Sequence, residues 1–216
     1  MTMQSEGNNQ TPQLTRTQQA RRADIIAAAI TVINRDGYAN ASVQKVAKEA
    51  GTSKSTVLYH FKSKNEIEKA IVGSIFEDGA AYMAPFIMQA RTSREKLRAY
   101  VTSNLQFIAG NAPAIAALLE IERNIGHQTF TDSSAHMQDD LPLQWLQGML
   151  TDGQQSGEFG AFNPAVLAVN IRLVIDGSAQ YILTHPSLDS TQYITETAHI
   201  FDTTATTTRK EYQPPI

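Results

Sequence analysis

Between Ser42 and Phe61 the apolar positions fall into two short helical registers separated by a glycine. Val43, Val46, Ala47 and Ala50 follow the i, i+3, i+4, i+7 spacing of one helix face, and Ser42 stands before them as an N-cap. Gly51 supplies the positive φ that ends a helix at low cost, and Ser53 caps a second helix whose inward positions, Val57 and Phe61, are four residues apart. Two short helices around a tight glycine turn are predicted, the helix-turn-helix arrangement in which the second helix lies in the major groove of DNA.

The same pattern extends both ways. A first helix is predicted from about Thr17 to Arg35 with Ile25, Ala29, Ile30 and Ile33 inward. Ser63-Lys64-Asn65-Glu66 is a capping box opening a long helix with Ile67, Ala70, Ile71 and Ile75 inward, running to about Ala84 where Pro85 interrupts it. A second capping box, Thr92-Ser93-Arg94-Glu95, opens a helix with Leu97, Val101, Leu105 and Ile108 inward, ending at Gly110. Asn111 and Pro113 start another, with Ile115, Leu118, Leu119 and Ile125 inward as far as Gly126, and 127–135 reads as a loop. Leu141, Trp145, Leu146, Met149 and Leu150 form a further helix whose end is marked by Gly153 and Gly157. Asn163-Pro164 pairs a cap with a first-turn proline and opens a helix to about Thr184; a last one starts near Ser190 with Tyr193, Ile194, Ala198 and Phe201 inward. Strand-like alternation is absent, so the fold class is all-α.

If Val57 and Phe61 face inward, the 100° step per residue turns Ser55, Thr56 and Tyr59 outward, with Lys54 and His60 at the flanks. Hydroxyls can meet base edges or phosphates, an aromatic edge can pack on a thymine methyl, and Lys54, Lys62 and Lys64 supply charge. Tyr59 and Thr56 are therefore assigned to sequence reading and Lys64 to a phosphate. The bland alternative is a solvated helical hairpin. The charge distribution opposes it: residues 1–65 hold nine Lys or Arg against four Asp or Glu, and the remainder nine against seventeen, although the formal net charge is −3. Arg16, Arg21 and Arg22 oppose the dipole of the first helix, which a phosphate backbone would explain.

From Arg22 to about Ile71 the chain resembles the DNA-binding domain of the tetracycline-repressor (TetR) family of bacterial transcription regulators. The resemblance rests on Ile25-Ile26-Ala27-Ala28-Ala29, Asp36-Gly37-Tyr38, Ser42-Val43, Val46-Ala47, Gly51-Thr52-Ser53 and His60-Phe61-Lys62-Ser63-Lys64 leading into Ile67. It implies a three-helix head, DNA contacts from Arg22, Ser42, Val43, Gln44, Ser53, Lys54, Ser55, Thr56, Tyr59, His60 and Lys64, and a fourth helix that carries the ligand signal as a lever. One position departs from the family pattern: Leu58 stands where the family has a phosphate-touching Tyr, and Tyr59 follows it. Beyond Pro85 the similarity is architectural. It implies a helical ligand-binding and dimerisation domain whose last two long helices pair with their two-fold mates.

The implied organisation is an arm at 1–15, the DNA-binding domain at 16–64, the ligand-binding and dimerisation domain at 65–208 and a tail at 209–216. The helix from Pro164 is apolar on more than one face, as a homodimer interface requires, and Ile175 and Phe201 are placed at that seam. Candidate effector contacts are Met83, Phe86, Phe107, Glu120, Trp145, Met149, Arg172, Asp176 and Gln180, joined by Glu122, Asn170 and Tyr181. Taken singly, each of these is more often a core residue or one half of an ion pair. The acidic balance of the second part favours a lipophilic cation or neutral amphiphile as effector.

Catalysis finds little support. Glu120, Glu122, His127, Asp132 and His136 are the nearest approach to a metal constellation, but Glu122 and His127 lack the Glu-x-x-His spacing of helical-bundle sites, so no catalytic residue, metal or cofactor is expected. With no cysteine, a polar start and no uninterrupted apolar run near the ~20 residues of a membrane span, a cytoplasmic protein with no membrane partner is expected. The reading is a ligand-responsive repressor on a palindromic double-stranded operator; the alternative is a DNA-binding regulator governed by a protein partner or by no small ligand.

Overall fold

The computed structural model describes residues 14–125 and 141–207. The arm to residue 13, the 127–135 loop with His127 and Asp132, His136 beyond it, and the tail from 209 lie outside them. The chain divides into two compact units, Met1–Ile67 and Glu68–Ile216. Among the described residues there are helices and turns and no strand.

In the first unit α1 spans Arg16–Asp36, opened by a capping box of Thr15 with Gln18 and closed at Gly37, whose φ of 79° suits glycine. A 3-10 turn, Tyr38–Asn40, leads into α2, Val43–Glu49, capped by Ser42. Gly51 turns the chain at φ 59°, and Ser53 caps α3, Lys54–His60, by accepting from the Thr56 amide. Ile25, Ala29, Val32, Ile33, Val46, Ala47, Val57, Phe61 and Ile67 are buried, while Ile30 is only half-buried. At the surface Arg35 bridges Asp36 and Glu49 at 3.0 and 2.6 Å, and Lys45 reaches Asp36 at 2.9 Å, tying the end of α1 to α2. Hydrogen bonds from Lys45 and then Arg35 hold the Asp36 carboxyl below its usual range.

Helix α4 spans Lys64–Gln89. It does not stop before Pro85: proline removes one N–H from the ladder, and the helix continues for only four residues beyond it, to Gln89. The capping box at its start is also modified. Ser63 Oγ accepts from the Glu66 amide at 3.2 Å, but the Glu66 carboxylate reaches back to the Lys62 amide at 3.0 Å, one residue before the cap.

The second unit is built around α5, Ser93–Gly110, which packs against α6, Ala112–Ile125, α7, Leu141–Gln155, α8, Pro164–Thr184, and α9, Ser190–Thr206. Thr92 and Glu95 complete the predicted capping box. On α6 the buried positions are Ile115, Ala117 and Ile121, with Leu118 and Leu119 half-buried, so the inward stripe is turned from the predicted one. Gly153 lies inside α7 and does not end it; a Cβ there would collide with the Phe159 ring and with Ser93 Cβ, so the glycine is a packing requirement. The turn falls to Gly157, at φ 76°.

Helix α8 is long and apolar enough to cross a membrane by length and composition, with mean hydropathy 1.3. One side of it, with Ala168, Ile171, Ile175 and Ala179, is buried in the bundle. This corrects the placement of Ile175 and Phe201 at a subunit seam: both are buried within a single chain, at 1% and 7% exposure. The apolar residues left outside are Val166, Val169, Leu173, Val174 and Tyr181 on α8 and Ile200 on α9.

Candidate DNA interface and effector residues

The outer face of the helix-turn-helix is built from its caps. Ser53 Oγ lies 2.8 Å from both Ser55 Oγ and Thr56 Oγ1 while accepting from the Thr56 amide at 3.1 Å, so three hydroxyls cluster at the start of α3. Lys54 and Ser55 are exposed beside them, Thr56 is half-buried, and on α2 Ser42 and Gln44 are exposed with Val43 half-buried. Further along α3, Leu58 is 38% and Tyr59 73% exposed, and the Tyr59 ring meets the His60 ring edge-on, with centroids 5.1 Å apart.

Two cations assigned to phosphate from the sequence are engaged inside the head. Arg22 Nη1 donates to the His60 carbonyl, and its guanidinium lies 4.0 Å from the Phe61 ring centroid. Lys64 Nζ donates to the Tyr38 carbonyl at 2.8 Å and lies 4.0 Å from the centroid of the Tyr38 ring. Both side chains brace the fold around the recognition helix. Arg16 and Lys54 are exposed, and Arg21 is 3.7 Å from Asp24. Gln18, which the sequence reading passed over, donates from Nε2 to Tyr59 Oη at 3.5 Å across 41 positions. The Thr15-x-x-Gln18 capping pattern was the available signal for it.

The effector candidates fall into three groups by their contacts. Phe107 lies 5.9 Å from the Tyr82 ring, which lies 5.5 Å from Phe86; at Gly79 an added Cβ would sit 3.3 Å from Phe107 Cε1, so α4 and α5 approach closely there. Arg172 donates to Tyr100 Oη at 3.2 Å and to Asp176 at 2.9 Å, and the Tyr100 ring lies 5.5 Å from Trp145. Arg123 donates to Glu120 and, at 3.2 Å, to Gln180. Met149 is buried, Met83 and Glu122 are half-buried, and Asn170 and Gln180 are exposed. Tyr82 and Tyr100 were not among the sequence candidates; only their position on a face shared with those residues could have signalled them. Among the described residues no cluster of His, Asp and Glu could hold a metal ion.

Residues 25–71 match the family model described as bacterial regulatory proteins, tetR family. The fatty acid metabolism regulator protein of Bacillus subtilis is 31% identical over 137 residues, 62% of this chain and 68% of that protein. The transcriptional repressor KstR2 of Rhodococcus jostii is 24% identical over 140 residues, 64% and 68% of the respective chains. A crystal structure of a tetR-family regulatory protein from Rhodococcus RHA1 superposes with a TM-score of 0.72 at 17% identity, over 88% of this chain and 98% of that one. FadR of Bacillus subtilis, solved in complex with stearoyl-CoA, superposes with a TM-score of 0.71 at 23% identity, over 84% and 98%. At these identities the two structures establish the fold. With the regulator sequences beside them, this chain belongs to the tetR family of bacterial regulatory proteins, DNA-binding transcription regulators and not enzymes.

Proposed function

We propose that the protein is a homodimeric repressor that grips a palindromic operator through α2 and α3 and is released by a long-chain acyl thioester. The observation that carries the DNA reading is the cap cluster Ser53, Ser55 and Thr56 at the start of α3, since the N-terminal residues of a recognition helix are those that meet base edges. Ser42, Val43 and Gln44 on α2 and His60 at the end of α3 complete the proposed contact surface. Two such heads, one helical turn of DNA apart, read the two halves of a palindrome. The outward apolar residues of α8, with Ile200 of α9, supply an isologous dimer face.

The effector class departs from the charge-based expectation. A lipophilic cation or neutral amphiphile was favoured from the acidic balance, with Glu120, Glu122 and Asp176 inside helices; of these, Glu120 accepts from Arg123 and Asp176 from Arg172. What remains is the aromatic set Tyr82, Phe86 and Phe107 with Met83, suited to an apolar chain; a separate group holds Arg172, whose guanidinium an anionic head would share with Asp176 and Tyr100. A relative that regulates fatty acid metabolism and a similar fold solved with stearoyl-CoA support the same class. Helix α4, unbroken from Lys64 to Gln89, is the proposed carrier of the signal. Gel-shift titration with DNA flanking the protein's own gene, with and without stearoyl-CoA, tests the reading: retarded DNA should be freed by the acyl compound.

A further inference from the structure

We infer that Gln18 positions Tyr59 to donate a hydrogen bond to a DNA backbone phosphate, which makes Tyr59 a holder of the duplex and Gln18 a residue that acts through it. The inference rests on the DNA-binding reading above and reassigns Tyr59 away from base reading.

The orientation of the Gln18 amide is fixed from α1. Its Oε1 accepts from the Thr15 amide at 2.9 Å and lies 3.2 Å from Thr15 Oγ1, which leaves the NH2 end facing α3. That end approaches Tyr59 Oη at 3.5 Å. A phenol that accepts an N–H keeps its own proton to donate, and with 73% of the residue exposed an acceptor outside the chain can reach it. Phosphate oxygens are acceptors only, whereas a base edge would present donors and acceptors according to sequence.

Position along the helix points the same way. Tyr59 is next to last in α3, a full turn beyond Ser55, so it lies at the flank of a helix whose first turn meets the bases. It also leans back toward α1, where it lines a groove with Thr17, Gln18, Arg21, Asp24 and His60, the Asp24 carboxylate lying 3.7 Å from Arg21. Leu58, 38% exposed and unable to hydrogen-bond, is then free to make an apolar contact while its neighbour holds the backbone.

The test uses the full-length protein, a duplex it selects from random DNA and a scrambled duplex of equal length, titrated by anisotropy at several salt concentrations. Tyr59→Phe should weaken both duplexes by a similar factor, roughly tenfold, because a hydrogen bond to a charged group is lost without a base contact. The salt slope should be unchanged because a phenol is neutral. Gln18→Ala should weaken both duplexes in the native background and add nothing in the Tyr59→Phe protein. Thr15→Val, which weakens the same cap but leaves the Thr15 amide on Gln18, controls for fraying of α1 and should bind as the native protein does. A loss confined to the selected duplex would make Tyr59 a base reader and overturn the assignment. So would native affinity in Tyr59→Phe, or an equal effect of Gln18→Ala in both backgrounds. Failure of the unsubstituted protein to enrich any duplex would remove the DNA-binding reading itself, an outcome distinct from these.

Discussion

The guanidinium of Arg22, on α1, lies 4.0 Å from the centroid of the Phe61 ring and donates to the carbonyl of His60, the last residue of α3. The final carbonyls of a helix have no partner within it, and a cation there also meets the negative end of the dipole. Phe61 is fully buried, so one side chain both closes the recognition helix and covers its anchor. Arg22→Ala should destabilise the head by about 1–3 kcal/mol, combining a charged hydrogen bond with a cation–π contact. Arg22→Lys should recover only part, for want of a planar fork. Thermal unfolding measures the loss. The salt slope of DNA binding by folded Arg22→Lys should equal that of the native protein, and a change in slope would return Arg22 to the phosphate backbone.

Lys54 and Lys64 separate in the same way. Lys54 is exposed at the start of α3, whereas the Lys64 ammonium already sits on the Tyr38 carbonyl and ring. Lys54→Gln should lower the slope of log affinity against log salt by about 0.9 per contact and leave unfolding unchanged. Lys64→Gln should lower the unfolding temperature of the head and alter the slope little. Equal slope losses for the two variants would show that Lys64 leaves Tyr38 for DNA.

Arg22 and Lys64 mark how far the sequence could be read. Helix identity was legible because Val46, Ala47, Val57 and Phe61 repeat at helical spacing and Ser42, Ser53 and Asn163 are caps with a local mechanism. The direction of a long flexible side chain was not, because Arg22 and Lys64 find their partners on other elements, 38 and 26 positions away. The same limit explains Ile175 on α8 and Phe201 on α9: periodicity marks apolar faces, but only packing, of α8 against α5 and α7 and of α9 against α5, decides which residues are inside. Pro85 and Gly153 misled for a different reason. Each is a general helix breaker, and each is accommodated by its particular place, near a helix end or beneath the Phe159 ring.

Acid should weaken the second unit first where α5 meets α9. Arg94 donates from Nε and Nη2 to the buried carboxylate of Asp202 at 2.7 and 2.8 Å. These bonds, with the nearby charges of Arg94, Arg98 and His199, hold the Asp202 carboxyl below its ordinary range against the opposing effect of burial. Glu158 is lowered too, chiefly by the Arg94 amide, with the Ser93 amide and the Ser156 hydroxyl adding to it. A depressed folded pKa contributes stability that is complete above the unfolded value, about 3.9 for aspartate, and is lost as pH falls below it toward the folded value. Asp202→Asn should therefore melt several degrees below the native protein at pH 7, and the gap should narrow below pH 4. A gap independent of pH would mean that packing, and not the charge, is what Asp202 supplies.

The outward face of α8 gives a cleaner test of assembly than its buried face. Leu173 is 64% exposed in a single chain and Ile175 is 1% exposed. Leu173→Glu should leave a folded monomer, since the carboxylate is hydrated once the partner is gone, whereas Ile175→Glu should give insoluble or unfolded protein because the charge enters the core. Light scattering and circular dichroism on the two variants separate the cases. A Leu173→Glu protein of native mass would place the dimer face elsewhere.

Effector and operator should be linked through the protein without sharing a surface. Reciprocity requires that the factor by which an acyl thioester weakens DNA binding equal the factor by which DNA weakens acyl binding, typically 5 to 150-fold. The chain carries its own reporter, a single tryptophan. Trp145 is 41% exposed, and its ring lies 5.5 Å from Tyr100, which in turn accepts from Arg172 at 3.2 Å. A head group that draws Arg172 away from Tyr100 changes the surroundings of the indole, so stearoyl-CoA should shift the intrinsic emission, and Arg172→Gln should weaken that response while DNA binding without effector is kept. An anionic head must displace Asp176 from Arg172 just as a cation must displace Arg172 from Asp176, so cationic amphiphiles measured beside stearoyl-CoA decide which charge the site takes. An emission shift from stearoyl-CoA with no release of DNA would leave a lipid-binding protein whose signal does not travel along α4. Release by cations alone would restore the charge preference drawn from composition and remove the acyl thioester.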